Sequence, residues 1–198
     1  MHVFSDLKSP IDRFLAVIIG LGIDGQLAET RQVEQEIGLG GFFKDISSLG
    51  LIKIADSPIR WINLREVIQA ADPDGHNKRY TYYLDYGVPL TTRAKMNKEW
   101  IFGVRIKGFP IFGQVVRIRW KGGGWGRKVV ALLNGDPLMG QPKFMDGINL
   151  TYYPEHLSWI ISAKEWQISS IDEWNAYQSM ALHLVTATEA HVNSQPAF

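Results

Sequence analysis

The chain contains no cysteine. Disulfides, thiolate metal sites and cysteine nucleophiles are therefore excluded. It also lacks an excess of charge of either sign: 21 Lys and Arg stand against 20 Asp and Glu, a net charge of +1. No global field draws such a protein to nucleic acid or membrane, so any electrostatic recognition has to be local. Long apolar runs are missing as well. The longest, residues 14–23, is half of the about 20 residues that a membrane-crossing helix needs. Its length would suit the core of a signal peptide, and Lys8 and Arg13 flank it. Asp6 and Asp12 flank it too, and Gln26-Leu-Ala-Glu29 is a poor cleavage sequence. The run is expected to form a buried helix of a soluble protein without a transmembrane segment, an uncleaved anchor being the lesser alternative, with the cytoplasm the favoured compartment.

Catalytic signatures are absent. There is no Gly-x-Ser-x-Gly and no His-Glu-x-x-His. The five histidines, His2, His76, His156, His183 and His191, show no metal-ligand spacing. Asp72-Pro-Asp-Gly-His-Asn77 has the look of a calcium loop, but Gly75 is misplaced and the twelfth position is Tyr83 rather than Glu; it reads as a turn. No metal and no cofactor are expected, and a non-catalytic protein is favoured over an enzyme. One acid–base cluster stays open: Glu155 and His156 with Asp136 and Asp146, all at predicted strand ends.

A more local absence is the most informative feature. Residues 100–135 hold no Asp or Glu, yet they carry Arg105, Lys107, Arg117, Arg119, Lys121, Arg127 and Lys128, a third of all basic residues. Within them runs Val115-Val-Arg-Ile-Arg-Trp-Lys-Gly-Gly-Gly-Trp-Gly-Arg-Lys128. On a strand, alternation sends Arg117, Arg119 and Lys121 to one face and Ile118 and Trp120 to the core. If residues 104–107 pair with 117–120, Lys107 opposes Arg117 and Arg105 opposes Arg119, which destabilises a sheet unless an anion intervenes. The glycines can bring backbone N–H groups close to a ligand, and Trp125 among them is the candidate exposed ring. The loop matches neither a P-loop nor a dinucleotide fingerprint. Arg105, Lys107, Arg117, Arg119, Lys121, Trp125, Arg127 and Lys128 are thus the candidate ligand-binding residues. The alternative is a solvated sheet face, neutralised by the acidic 24–45 region or by Glu165, Asp172 and Glu173.

What the chain does contain is a folded core. Hydrophobic residues make up 45% and aromatic ones 12%, with seven Trp, well above disordered composition. One domain over 1–198 is expected: a mainly helical 1–50, an antiparallel β core over 51–168, a helix over 169–192 and a tail over 193–198. Ser9-Pro10-Ile-Asp12 starts a helix running to Gly20, apolar on nearly every side and so buried all round. A second helix is expected over 28–37 and a further helical turn over 42–49. Strands are expected over 51–54, 79–86, 100–107, 114–121, 128–133, 148–153 and 157–163; 61–71 fits helix or strand. Tyr80, Tyr82 and Tyr86 share one strand face and would line a cavity if the sheet closed. Ser170 and Glu173 form a capping box for an amphipathic helix with Ile171, Trp174, Gln178, Ala181 and Val185 on its stripe, broadened by Tyr177 and Leu182. The fold class is α+β: N-terminal helices, a six- to eight-stranded antiparallel curved sheet or open barrel, and a C-terminal helix packed on it.

Three functions are compatible with these features. The first is a non-catalytic module binding an anionic partner, nucleic acid or another polyanion, through the basic strand and loop. The second is a structural or assembly subunit, for example of a viral particle or a homo-oligomer. The third is a small-molecule hydrolase or isomerase in a curved-sheet cavity.

Overall fold

The computed structural model describes residues 9–29, 48–70, 78–91, 96–108, 113–164 and 168–194. In chain order these form α1 (Pro10–Gly20), β1 (Gly25–Ala28), β2 (Ser48–Ile54), β3 (Trp61–Ala70), β4 (Lys78–Pro89), β5 (Glu99–Lys107), β6 (Val115–Gly122), α2 (Arg127–Gly135), the short α3 (Pro142–Met145), β7 (Asn149–Tyr153), β8 (Ser158–Ala163) and α4 (Ile171–Asn193). The eight strands make one antiparallel sheet in the order β1-β2-β3-β4-β8-β7-β5-β6. The expected α+β class holds, in its open-sheet form. Among the described residues no helix is long and apolar enough to cross a membrane.

Alternation along the strands gives the sheet two faces of different character. Leu84, Tyr86 and Val88 of β4, Trp159 and Ile161 of β8, Leu150 and Tyr152 of β7, and Ile118 and Trp120 of β6 point inward and are buried. The helices cover this inner face. On α4, Trp174, Tyr177, Met180, Ala181, Leu184 and Ala187 face the sheet; Tyr86 packs against Tyr177 with ring centroids 4.7 Å apart. Trp159 Nε1 donates to Thr188 Oγ1 at 3.0 Å, so even the indole N–H buried under α4 has a partner. Tyr86 is therefore part of a filled core, Tyr82 is half-buried and Tyr80 exposed; the three tyrosines do not line a cavity.

Both helix starts follow the sequence closely. Ser9 caps α1 reciprocally with Asp12. Ser170 Oγ accepts the Glu173 N–H, but the Glu173 carboxylate goes one residue further back, to the Ser169 N–H and hydroxyl, and takes the Tyr177 hydroxyl as well. The buried stripe of α4 is centred on Trp174–Tyr177–Ala181–Leu184. Ile171, 44% exposed, and the exposed Leu182 fall off it, because the apolar surface of α4 is wider than the sheet it meets. α1 buries only Ile11, Phe14 and Ile18; its other apolar residues are half-buried or exposed, since it lies at the rim of the sheet by β1 and β2.

Two further expectations fail, and one ambiguity is resolved. Residues 128–133 are helical, not a strand: Val129 and Leu133 enter the core while Ala131, midway between them, is exposed, a pattern that a helix satisfies and a strand face does not. Of the ambiguous 61–71 segment, Trp61–Ala70 is β3, fully paired with β4. Ala28 closes β1 instead of opening a helix; the four residues of β1 are too few for a readable alternation. The rest of the second expected helix, most of the 42–49 turn, the Asp72–Asn77 turn and Glu165 lie outside the described residues.

Candidate functional site

The uncovered, outer face of the sheet carries the candidate chemistry. Strand pairing sets it out in rows. On β5, Trp100, Phe102, Val104 and Ile106 share this face; on β6, Arg117, Arg119 and Lys121 do. The register places Phe102 opposite Lys121, Val104 opposite Arg119 and Ile106 opposite Arg117. This corrects the expected pairing of Lys107 with Arg117 and Arg105 with Arg119 by one residue. The cause is Gly103, which sits against Ile118 and Trp120; a Cβ there would come within 2.7 Å of Ile118 Cγ2. Each cation now opposes an apolar side chain, and the predicted like-charge repulsion disappears.

The apolar members of these rows are not buried. Trp100 is 66% exposed, Phe102 44% and Ile106 40%. Trp100, not singled out from the sequence, is the exposed ring beside the cations. A signal for it was present: it begins the acid-free stretch and is two residues from Phe102 on a strand. Arg117 and Arg119, with Ile106 and Asn134, line a cleft of about 440 Å³ at the sheet edge. The Arg117 guanidinium bends over that edge and donates to the Asn134 carbonyl at 3.4 Å. The Asn134 side-chain amide bonds both backbone groups of Trp120, accepting its N–H at 2.9 Å and donating to its C=O at 3.1 Å.

The other five candidates do not join this face. Arg105 points the opposite way, to Asp146 at 2.6 Å. Lys107 is exposed beyond an irregularity in the β5–β6 register, opposite Val115. Arg127 and Lys128 open α2 in the helical layer, with Lys128 Nζ on Ser194 Oγ at 3.0 Å. Trp125 is half-buried: its N–H goes to the Asn97 carbonyl, and its ring stacks on His191 and meets Tyr152 and Trp159 edge-on. Burial, with Lys128 nearby, pushes the His191 imidazole below its ordinary pKa.

The glycine loop is occupied by the protein itself. Gly126 N–H donates to Glu99 Oε2 at 3.2 Å. A Cβ on Gly126 would come within 2.6 Å of the Glu99 side chain, and one on Gly124, whose φ is +50°, within 2.7 Å. The loop is thus an anion cradle at the start of α2, as its glycines suggest, and the anion is the Glu99 carboxylate. Glu99 also offsets Arg127 and Lys128, which the helix dipole disfavours at that end.

Toward β3 and β4 the same outer face is closed. Asp85, 2% exposed, accepts from Arg65 Nε at 2.9 Å and Nη2 at 3.4 Å and from Ser162 Oγ at 2.7 Å; Arg65 also lies over the Tyr83 ring. Asn63 is fully buried beside it and accepts the Ser48 hydroxyl. Burial raises the Tyr153 hydroxyl pKa, and the Asp85 and Glu155 carboxylates raise it further. With both oxygens of Asp85 engaged and Tyr153 held protonated, this cluster offers no free base.

The proposed acid–base group does not assemble. Asp136 binds His183 at 2.8 Å, Asp146 binds Arg105, and His156 lies beside Tyr153. Ser179 Oγ donates over a long 3.5 Å to the same Asp136 oxygen that holds His183. Among the described residues no group of three His, Asp or Glu is placed to hold a metal ion. Glu173, one of the expected neutralising acids, is buried on Ser169 and Tyr177. A separate cleft of about 600 Å³ at the β1–β3 end is lined by Asp24, Asp56, Lys53, Arg60 and the Trp61 wall, with charges of both signs. Neither a family model, nor a curated protein, nor a solved structure matches the chain.

Proposed function

We propose that the protein is a non-catalytic binding module whose outer β5–β6 face takes an anionic partner. The observation that supports this best is the edge cleft that gathers Arg117 and Arg119 with no carboxylate among the described residues of its lining, continued by the exposed Lys121. Two guanidinium groups beside one opening suit the oxygens of phosphate or carboxylate, which arginine binds in a planar, two-pronged fashion. The exposed Phe102, opposite Lys121, and Trp100, two residues on, add apolar surface to the same face.

The test is direct. Wild-type protein should bind heparin or inorganic polyphosphate at low salt, and Arg117→Ala with Arg119→Ala should abolish most of that binding. The melting temperature should stay near wild type, because both side chains are exposed. Unchanged binding by the double variant would refute this assignment.

A further inference from the structure

We infer that the anionic partner is a single-stranded nucleic acid, lying along β5 and β6 with its phosphates on Lys121, Arg119 and Arg117 and its bases against Trp100 and Phe102. The inference rests on the anion-binding reading of the same face. It goes beyond it by assigning the rings a role that no simple polyanion would use.

The rows are the basis. Side chains two residues apart on a strand lie about 6.8 Å apart, and neighbouring strands about 4.8 Å. Arg117, Arg119 and Lys121 therefore form a line of cations at that stride. Phe102 and Trp100 continue a parallel line of rings one strand away, Phe102 directly opposite Lys121. An extended single strand has the same two-lane form: charges at regular intervals along one side and flat, apolar bases along the other. Cation rows beside ring rows hold such strands without reading sequence. After the last paired residue, Gly122, comes Gly123, where an added Cβ would meet nothing within 4 Å; the chain leaves the end of the ring row unobstructed. Among the described residues of β5 and β6, the only acid is Glu99, and it is turned to Gly126.

A duplex fits this surface poorly, since its bases are stacked away from the rings. A lipid surface would favour apolar side chains at a protruding tip ringed by cations, whereas here Phe102, Val104 and Ile106 each oppose a cation across the strand pair and Trp100 extends their row by one step. The backbone-directed contacts predict weak sequence preference. They also predict a modest salt dependence, a log–log slope of about −1.4 to −2.1 for two to three phosphates.

The experiment compares four probes on the full chain: an oligothymidylate of about a dozen nucleotides, a duplex of the same length, inorganic polyphosphate, and phosphatidylserine–phosphatidylcholine vesicles. Binding is measured for wild type, Trp100→Ala, Phe102→Ala and Arg117→Ala/Arg119→Ala. The expected result is that the oligonucleotide binds tightest and that Trp100→Ala and Phe102→Ala each weaken it by about fivefold or more. Polyphosphate binding should be untouched by both ring variants and lost in the double arginine variant. Equal binding of oligonucleotide and polyphosphate, with Trp100→Ala silent, would overturn this inference and leave the anion-binding reading standing. Vesicle binding that needs Trp100, without oligonucleotide binding, would replace the nucleic acid by a lipid surface. No binding to any probe would overturn both.

Discussion

The two halves of the outer sheet face are built from the same kinds of residue and treat them in opposite ways. Around β3, β4 and β8, Trp61 is fully buried, Arg65 grips Asp85, and Ser162 completes the carboxylate. Around β5 and β6, Trp100 stands 66% exposed, and on the same face Lys121 opposes Phe102 and Arg119 opposes Val104, with no acid on that face of the two strands. One tryptophan and one arginine in each half thus serve different ends. In the first, charge is cancelled internally and the ring fills space; Gly87 is bare so that the Trp61 indole can lie on it, and a Cβ there would fall 1.8 Å from Cε2. In the second, the charge and the ring are both left unspent. The contrast teaches that the composition of a sheet face does not tell structural from recognition roles; the pairing of each cation does.

The sharpest test of that contrast is the two tryptophans. Trp61→Ala should cost about 3–5 kcal/mol, as for a fully buried aromatic side chain, and lower the melting temperature steeply. Trp100→Ala should stay within about 0.5 kcal/mol of wild type. Equal losses in thermal melts would erase the distinction.

The two arginines give a smaller separation. Arg65→Ala removes the guanidinium that pairs the buried Asp85 carboxylate, and removal of one partner from a buried pair costs about 3 kcal/mol. Arg119→Ala should change stability by less than about 0.5 kcal/mol while weakening polyanion binding. Urea denaturation of both variants, read with polyphosphate binding, places each arginine in its half.

The smallest effect concerns a charge pair in the helical layer, outside both halves. The His183 hydrogen bond holds the Asp136 carboxyl below its ordinary range, helped by the Leu138 N–H. A depressed carboxyl contributes stability that is complete above its unfolded pKa, near 3.9, and is lost as pH falls through the lower folded value. Asp136→Asn should therefore be less stable than wild type at pH 7, and the gap should close as pH falls through the lowered folded value. A gap that persists unchanged into acid would assign the loss to packing instead.

Much of this architecture was legible in the chain, and the limits have physical causes. Ser9 and Asp12 announced α1, and Ser170 announced α4, because caps are local and their partners lie within four residues. The inward turn of Ile118 and Trp120 followed from alternation alone. The one-residue register of β5 on β6 did not, since it depends on Gly103 yielding room to side chains of another strand. Trp125 seemed the free ring because its neighbours are glycines, but those glycines make room for Glu99, 27 residues away on another strand. The Arg65–Asp85–Ser162 cluster joins three strands, and no spacing along the chain forecasts it. Local signals reported where elements begin; long-range contacts decided which side chains were left over for a partner.

The Asn134 amide has a consequence for how this chain meets copies of itself. β6 ends the sheet, and a bare terminal strand offers its backbone as a template on which another molecule can continue the sheet. At Trp120 that template is already filled, because one side-chain amide satisfies both the N–H and the C=O that an added strand would use. Sheet-to-sheet polymerisation at this point must first tear away the end of α2. At Trp120 the border next to the proposed binding face is thereby closed by one side chain of α2.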